Sequence, residues 1–261
     1  MTGALAGARV LVPRGGRWGE AVRTELARRG ATAVVAPLIA SAAPRDVEAR
    51  DRAFAALAAG EYAWLFVTSA ASIEQLQEHG VEVPPSTRIA AVGRATARAV
   101  ADAGWEVDFV PAGSSSASAM ITQWCTGRTP AATGRCLVLR SDLARAVVSD
   151  ELELQGYDVE VCIAYRTVGV DLDPEAAADL RAGRLDAVLL TSLSAGRELR
   201  RQVWPIPART LIASIGPGTT RDAEALGFTV GHTARSQSID ALIAELDARP
   251  ALDPTSREET P

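Results

Sequence analysis

The chain contains no lysine; all 27 of its basic side chains are arginine. That absence removes whole classes of chemistry. A Schiff base to a carbonyl substrate or to pyridoxal phosphate needs a side-chain amine. A Walker A loop needs Lys beside its glycines, and a receiver-type pocket needs Lys with its Asp. Compositional bias is the simplest account of the missing lysine, but arginine remains the better residue for gripping carboxylates in pairs of hydrogen bonds. Cysteine is scarce: Cys125, Cys136 and Cys162 form no C-x-x-C pair, so they read as core or surface thiols rather than a metal or disulfide framework. His79 and His232 are the only histidines, and neither has ligands at metal-site spacing, so no metal is expected. No serine sits in G-x-S-x-G, which excludes a nucleophile elbow. No apolar run approaches the ~20 residues of a membrane span. Residues 1–9 have no basic start followed by an apolar stretch, so a cytoplasmic protein without membrane contact is expected. A net charge of −5 argues against a nucleic-acid partner.

What the chain does contain is an internal repeat. Thr68-Ser69, Gly93, Thr96, Gly104 and Val107 return as Thr191-Ser192, Gly216, Thr219, Gly227 and Val230, each 123 residues later. Thr-Ser follows an apolar run in both copies, and so does Gly-x-x-Thr. A hydroxyl or glycine between a strand and a helix is what a helix N-cap requires. An earlier block repeats at an offset of 126: Arg14 and Gly30 match Arg140 and Gly156. With 261 residues, 48% of them hydrophobic, the chain can form two modest domains. Strands alternating with helices predict an α/β fold with mostly parallel sheets covered on both faces.

The pattern predicts strands over 9–13 and 31–41, a helix over 18–29, and their counterparts over 135–139, 157–168 and 143–155. Further helices are expected over 46–59, 70–80, 114–126, 174–183, 194–203 and 236–248. Residues 127–134 link the copies, and 251–261 are expected to be a disordered tail. The stretches 31–41 and 157–168 run to about ten residues where a typical strand has about 5–6. A strand that outruns its sheet can carry the chain into another domain. Either the middle of the chain forms one domain and its ends the other, or two domains lie in tandem; spacing alone leaves both open.

Ligands of parallel α/β sheets bind beyond the carboxyl ends of the strands. Arg14, Arg140, Arg94 and Arg221 would gather there with helix N-termini, a surface suited to anions. Thr68, Ser69, Thr96, Thr191, Ser192 and Thr219 could equally be helix caps alone, worth about 1 kcal/mol each. Gly15-Gly16-Arg17-Trp18-Gly19 could cradle an anion or be a plain turn; it is not a dinucleotide fingerprint. Tyr165, near the end of a long strand, is placed either to donate a proton to a leaving group or to pack at a domain junction.

Taken in order, the duplicated β-α-β unit, Tyr165-Arg166-Thr167 and Ile215-Gly216-Pro217-Gly218-Thr219 resemble the uroporphyrinogen-III synthase family over residues 8–248. The resemblance implies two flavodoxin-like, doubly wound domains joined by a two-stranded linker, with the active site in the cleft between them: residues 1–38 with 168–250, and 39–167. It implies no metal or organic cofactor. The implied substrate is hydroxymethylbilane, a linear tetrapyrrole with eight carboxylates, handed over by hydroxymethylbilane synthase to a monomer. Closure inverts ring D and releases water. Ionisation is easy, because a pyrrole nitrogen expels the hydroxyl; the hard choice is which carbon of ring D attacks, and a shaped anion-binding site makes that choice through a spiro intermediate. Tyr165 matches the family tyrosine that assists loss of the hydroxyl. Gly216, Pro217, Gly218 and Thr219 match its Gly-Pro-Thr-Thr turn, with Gly218 in place of the first Thr. Thr191, Ser192 and Ser194 match the other substrate-side turn. The second copy is therefore expected to carry the site, with Tyr165 and Thr219 opposed across the cleft and the first copy serving mostly as caps. The competing readings are a non-catalytic tandem flavodoxin-like binding or sensor protein for an anionic ligand, and a phosphate-transferring enzyme, which would want a glycine-rich loop and an acidic pair.

Overall fold

A computed structural model describes residues 3–113, 116–129 and 133–252. Most of the predicted tail, part of the serine-rich stretch opening the helix predicted from 114, and part of the 127–134 link lie outside the described residues. The elements in order are β1 (Arg9–Val12), α1 (Gly16–Arg28), β2 (Thr32–Val35), β3 (Ile39–Ala42), α2 (Val47–Ala58), β4 (Trp64–Val67), α3 (Ala70–Glu78), β5 (Arg88–Ala91), α4 (Arg94–Asp102) and α5 (Ala117–Cys125). They continue with β6 (Cys136–Ser141), α6 (Val147–Leu154), β7 (Val159–Gly169), α7 (Pro174–Arg181), β8 (Ala187–Leu190), α8 (Leu193–Gln202), β9 (Leu211–Ser214), α9 (Pro217–Ala225), β10 (Val230–Thr233) and α10 (Ile239–Asp247). The bounds of β8, β9 and α9 are those of β4, β5 and α4 moved by 123 residues, so the sequence repeat is a structural repeat.

The chain divides into two compact units, one comprising residues up to Ala40 and from Val168 onward, the other Ser41–Thr167. The first holds a five-stranded sheet in the order β10-β9-β8-β1-β2, the second one in the order β3-β7-β6-β4-β5. An isolated bridge between Ala90 and Phe109 lies beyond β5, at the position that β10 occupies in the repeat. Strand β1 pairs in parallel with β8, and β4 in parallel with β6. The repeat is therefore exchanged: the first two strands of each copy complete the sheet built by the last strands of the other.

Burial explains why these strands are apolar throughout. β4, β8 and β9 are buried at every residue, as expected for inner strands of a parallel sheet with both faces covered. Successive side chains point to opposite faces. In the first unit Val10 and Val12 join Leu26, Leu242 and Ile243, whereas Leu11 joins Leu180, Leu190 and Leu199. In the second, Leu65 and Val67 join Phe54, Leu57 and Leu76, whereas Trp64 and Phe66 meet Trp124 and Tyr157. The helices start on side-chain caps where the sequence supplies them: Asp46 accepts from Ala49 N–H, and Asp173 precedes Pro174 in the first turn of α7, where the missing N–H costs nothing.

Two predicted elements need correction. The stretch 31–41 is not one strand. It breaks at Pro37, which has no N–H to give a ladder, so β2 joins one sheet and β3 the other. Its counterpart β7 is continuous over 11 residues and runs past the unit boundary at 167/168, with β3 as its hydrogen-bonded neighbour. The helix predicted over 143–155 is the shorter α6. Residues 143–146 form a turn that Arg140 holds by donating from Nη1 to the Ala144 carbonyl at 2.6 Å, and Leu143 is exposed. No helix among the described residues is long and apolar enough to cross a membrane.

Trp124 is fully buried, with ring centroids of Trp64, Phe66 and Tyr157 at 5.1, 4.8 and 5.3 Å. Trp124→Ala should cost about 3–5 kcal/mol, read from urea unfolding. Burial pushes the Cys136 and Cys162 thiols up to about 12. At pH 8 their thiolate fraction is then on the order of one in ten thousand, and the thiolate is the reactive form. A chromogenic disulfide reagent should therefore titrate no more than Cys125 in native protein and all three thiols in denaturant.

Candidate active site

The exchange of strands sorts the expected site residues into two sets, each at the carboxyl edge of one sheet. In the second unit β4 leads to Thr68 and Ser69, β5 to Gly93, Arg94 and Thr96, β6 carries Arg140, and β7 carries Tyr165. In the first unit β1 leads to Arg14, β8 to Thr191, Ser192 and Ser194, and β9 to Gly216, Pro217, Gly218 and Thr219. Tyr165, from the second copy, therefore stands with the first-copy turns. One first-copy residue makes a contact beyond its helix cap.

Ser69 shows this directly. It is the N-cap of α3 and accepts from Ser72 N–H at 3.3 Å. The same Oγ lies 3.0 Å from the Tyr165 hydroxyl and 3.0 Å from Ser72 Oγ. Ser72 is fully buried and Tyr165 is 7% exposed, and Ser69 between them is half-buried, so the chain of three hydroxyls reaches the surface at Ser69.

A β-bulge aims the tyrosine. Arg140 pairs with Ile163, but the next residue, Ser141, pairs with Tyr165, so β7 carries one extra residue there. Without it, alternation would place Tyr165 on the face opposite Cys162 and Ala164. With it, Tyr165 joins the same core cluster as those two, as a bulge that re-aims a side chain requires. Asp142 then clamps the strand: its N–H donates to the Tyr165 carbonyl at 3.1 Å, and its Oδ1 accepts from Thr167 N–H at 3.0 Å. Sequence reading missed Asp142 because its role depends on a register shift, although its place directly after β6 was a usable signal.

The four turns divide by type of cap. Ser69 and Ser192 satisfy the first turns of α3 and α8 with their own hydroxyls, Ser192 accepting from Ala195 N–H at 3.2 Å. Ser194 lies one residue inside α8 and pairs with Ser192 Oγ at 3.0 Å. Gly93 and Gly216 cap α4 and α9 with no side chain at all. Among the described residues nothing accepts from the N–H groups of Ala95 and Thr96, or of Gly218 and Thr219. Open N–H groups at the positive end of a helix dipole are the features that an anion-binding turn needs. Thr96 and Thr219 themselves are 4% and 8% exposed, so their backbones present more to a ligand than their hydroxyls do.

Thr220 lies behind the second turn. Its Oγ1 bonds Thr233 Oγ1 at 2.7 Å and the Gly216 carbonyl at 3.3 Å, and it also pairs with Ser214 Oγ. It supports the turn from the sheet side. Gly218 has nothing within 4 Å of the position a Cβ would take, so the space for a larger residue is present. Thr68 donates its hydroxyl to the Leu139 carbonyl at 3.3 Å, a strand-to-strand tie. Thr191 is half-buried and Arg94 exposed. Arg14 stacks on the Trp18 ring at 5.2 Å. Arg140 has one nitrogen on Ala144, and its Nε is buried with no partner. Of the glycines in 15–19, Gly16 has φ of 64°, and a Cβ at Gly19 would lie 2.4 Å from the Arg14 carbonyl oxygen. The left-handed backbone accounts for Gly16, and close approach to the chain after β1 for Gly19, without an anion. No group of three His, Cys, Asp or Glu side chains among the described residues could hold a metal.

Comparison with known proteins bears on the family and the fold. The family model of uroporphyrinogen-III synthase HemD matches residues 20–244. A putative uroporphyrinogen-III synthase of Methanothermobacter thermautotrophicus is 29% identical over 72% of this chain and 78% of its own length. The uroporphyrinogen-III synthase of Synechococcus elongatus is 25% identical over 93% of this chain and 96% of its own. Crystal structures of the Helicobacter pylori enzyme (TM-score 0.59, 14% identity) and of a mutant Thermus thermophilus enzyme (TM-score 0.55, 20% identity) share the fold, each over 92% of this chain and 97% of the other. The family match spans most of the chain and takes in both glycine-capped turns and Tyr165, and this chain belongs to the uroporphyrinogen-III synthase family.

Proposed function

We propose that this chain, a lyase of tetrapyrrole biosynthesis, closes hydroxymethylbilane to uroporphyrinogen III with Tyr165 as the acid that protonates the departing hydroxyl. The observation that carries this role is the Tyr165 hydroxyl held 3.0 Å from Ser69 Oγ at the carboxyl edge of its sheet. A phenol so placed can give its proton to a leaving oxygen and recover one from solvent through the half-buried Ser69. The substrate's carboxylates are assigned to the open N–H groups at Ala95–Thr96 and Gly218–Thr219, with Arg94, Arg14 and Arg140 adding charge-assisted bonds. Thr68, Thr191, Ser192 and Ser194 shape the same edges. The two stretches that link the units, β3 and the end of β7, are proposed as the hinge between two domains. The chain would work as a cytoplasmic monomer that takes hydroxymethylbilane from the synthase that makes it, which suits a substrate that otherwise closes spontaneously to the type I ring.

The enzyme contributes conformation more than chemistry. Ionisation is driven by the pyrrole nitrogen, so a weak acid suffices. Selecting attack at the substituted carbon of ring D requires the side chains of the tetrapyrrole to be held in one arrangement. Fixed backbone donors do this well, because they cost little ordering when the ligand arrives. The sensor alternative has no observation in its favour.

Freshly made hydroxymethylbilane should give the type III isomer with this protein; type I alone, as in the spontaneous reaction, would reject the assignment. Tyr165→Phe should slow turnover by about 10–100-fold through loss of a general acid, and an unchanged rate would remove that role. Ser69→Ala should cost about 1 kcal/mol of stability through its cap and slow turnover less than Tyr165→Phe, since water can replace one hydroxyl. Gly218→Thr should fold with stability equal or higher by a few tenths of a kcal/mol and leave turnover unchanged. A large rise in turnover would show that a hydroxyl at 218, not the backbone, makes the contact.

A further inference from the structure

We propose that the amino-terminal edge of the second unit's sheet carries a second binding site, for a small multivalent oxyanion such as a phosphate or a di- or tricarboxylate. The site is a cavity of about 330 Å³ lined by Trp64, Ser86, Arg88, Arg128, Thr129 and Thr133, with no acidic side chain among the described lining residues. Trp64 and Arg88 open β4 and β5, so this edge is opposite the one that carries Tyr165.

Among the described residues both cations are held in place without a carboxylate partner. The Arg88 and Arg128 guanidiniums lie 5.7 and 5.3 Å from the same Trp64 ring centroid. Arg128 also lies 5.0 Å from the Trp124 ring and 5.7 Å from Phe109, and it donates to the Trp124 carbonyl. Stacking fixes the plane of a guanidinium while leaving its edge donors free, so little further ordering is needed when an anion binds. Among the described residues neither arginine forms an ion pair with a carboxylate. Nearby arginines behave differently. Arg135, just ahead of β6, pairs with Glu160 at 2.8 Å and Glu61 at 3.6 Å. At the corresponding edge of the other unit, Arg9 and Arg184 share Asp179 at 2.5 Å each. In a chain of net charge −5, two adjacent cations left without a counter-ion mark a place that an external anion would complete.

The repeat supports the same conclusion. Thr87 and Thr210 are equivalent, buried, and bonded to carbonyls of Tyr62 and Leu185 at 2.7 and 2.8 Å. The neighbours are not equivalent: Arg88 and Trp64 correspond to Leu211 and Ala187. The duplicated scaffold is kept on both sides, and the arginine and tryptophan that line the cavity occur on one. The hydroxyls of Ser86 and Thr129 supply neutral donors beside the two guanidinium forks, a combination suited to tetrahedral or carboxylate oxygens.

The test is calorimetric titration of the full chain with inorganic phosphate and, separately, citrate, at ionic strength held constant with sodium chloride. Intrinsic fluorescence is followed in parallel, because Trp64 lies against both cations. Saturable binding of at least one anion is expected. In Arg88→Gln/Arg128→Gln, Kd should rise at least about tenfold through loss of charge-assisted bonds, with the far-ultraviolet dichroism and urea midpoint near wild type. Trp64→Phe should still bind in the calorimeter and lose the fluorescence change. If the double variant does not fold, the exposed Arg88→Gln alone serves, with a smaller rise in Kd. Phosphate alone saturating identifies a phosphate site, and citrate alone a polycarboxylate site. No saturable heat with either anion, or an unchanged Kd in the arginine variants, overturns the proposal. None of these readouts depends on tetrapyrrole turnover.

Discussion

The pairing of β1 with β8, in register Val10 to Ala187 and Leu11 to Val188, is the constraint on which the rest of the molecule depends. Had β1 and β2 paired with the strands of their own copy, Arg14 would share an edge with Thr68 and Ser69, and Tyr165 with Thr191 and Ser192. The observed pairing does the reverse, as does β4 with β6 in the other sheet. The exchange requires the chain to pass from one sheet to the other twice. It does so once through the break at Pro37 and once along the unbroken β7. A proline on one side and an 11-residue strand on the other are the local devices that make the exchange possible.

From that pairing follows the surrounding of Tyr165. The bulge at Ala164 turns its side chain into the cluster with Cys162 and Leu139, and Ser69, from a turn nearly a hundred residues earlier, meets its hydroxyl. Asp142 fixes the backbone on both sides of it. A tyrosine packed at 7% exposure loses little entropy by holding one rotamer, which suits the proposed role as proton donor. Of the two readings of this residue from the sequence, packing does not exclude chemistry, because the packed side chain keeps its hydroxyl on Ser69.

The distinction between capping and binding also becomes physical once the turns are seen. A serine cap fills one orphan donor of its helix and thereby withdraws it from a ligand; a glycine cap leaves the donors open. Ser69 and Ser192 are of the first kind, and Gly93 and Gly216 of the second. The repeat alone could not separate these roles, since duplication copies both. Nor could it reveal the cavity at Trp64, Arg88 and Arg128, because the other copy has Ala187 and Leu211 in place of Trp64 and Arg88 and the members are contiguous only across strands.

Much was legible in the sequence itself. The apolar runs, the glycine and serine turns and the constant offset of 123 residues determined an α/β fold built twice, because buried parallel strands and capped helices leave local marks. The helix expected over 143–155 and the single strand expected over 31–41 failed for local reasons that the pattern underweighted: a turn tied by Arg140, and a proline without an N–H. What only the tertiary structure decided was which strand lies beside which. A parallel ladder joins residues far apart in the chain through backbone groups that are alike at every position, so its pairing leaves almost no trace in the side-chain pattern. The partner of Tyr165 followed from that pairing.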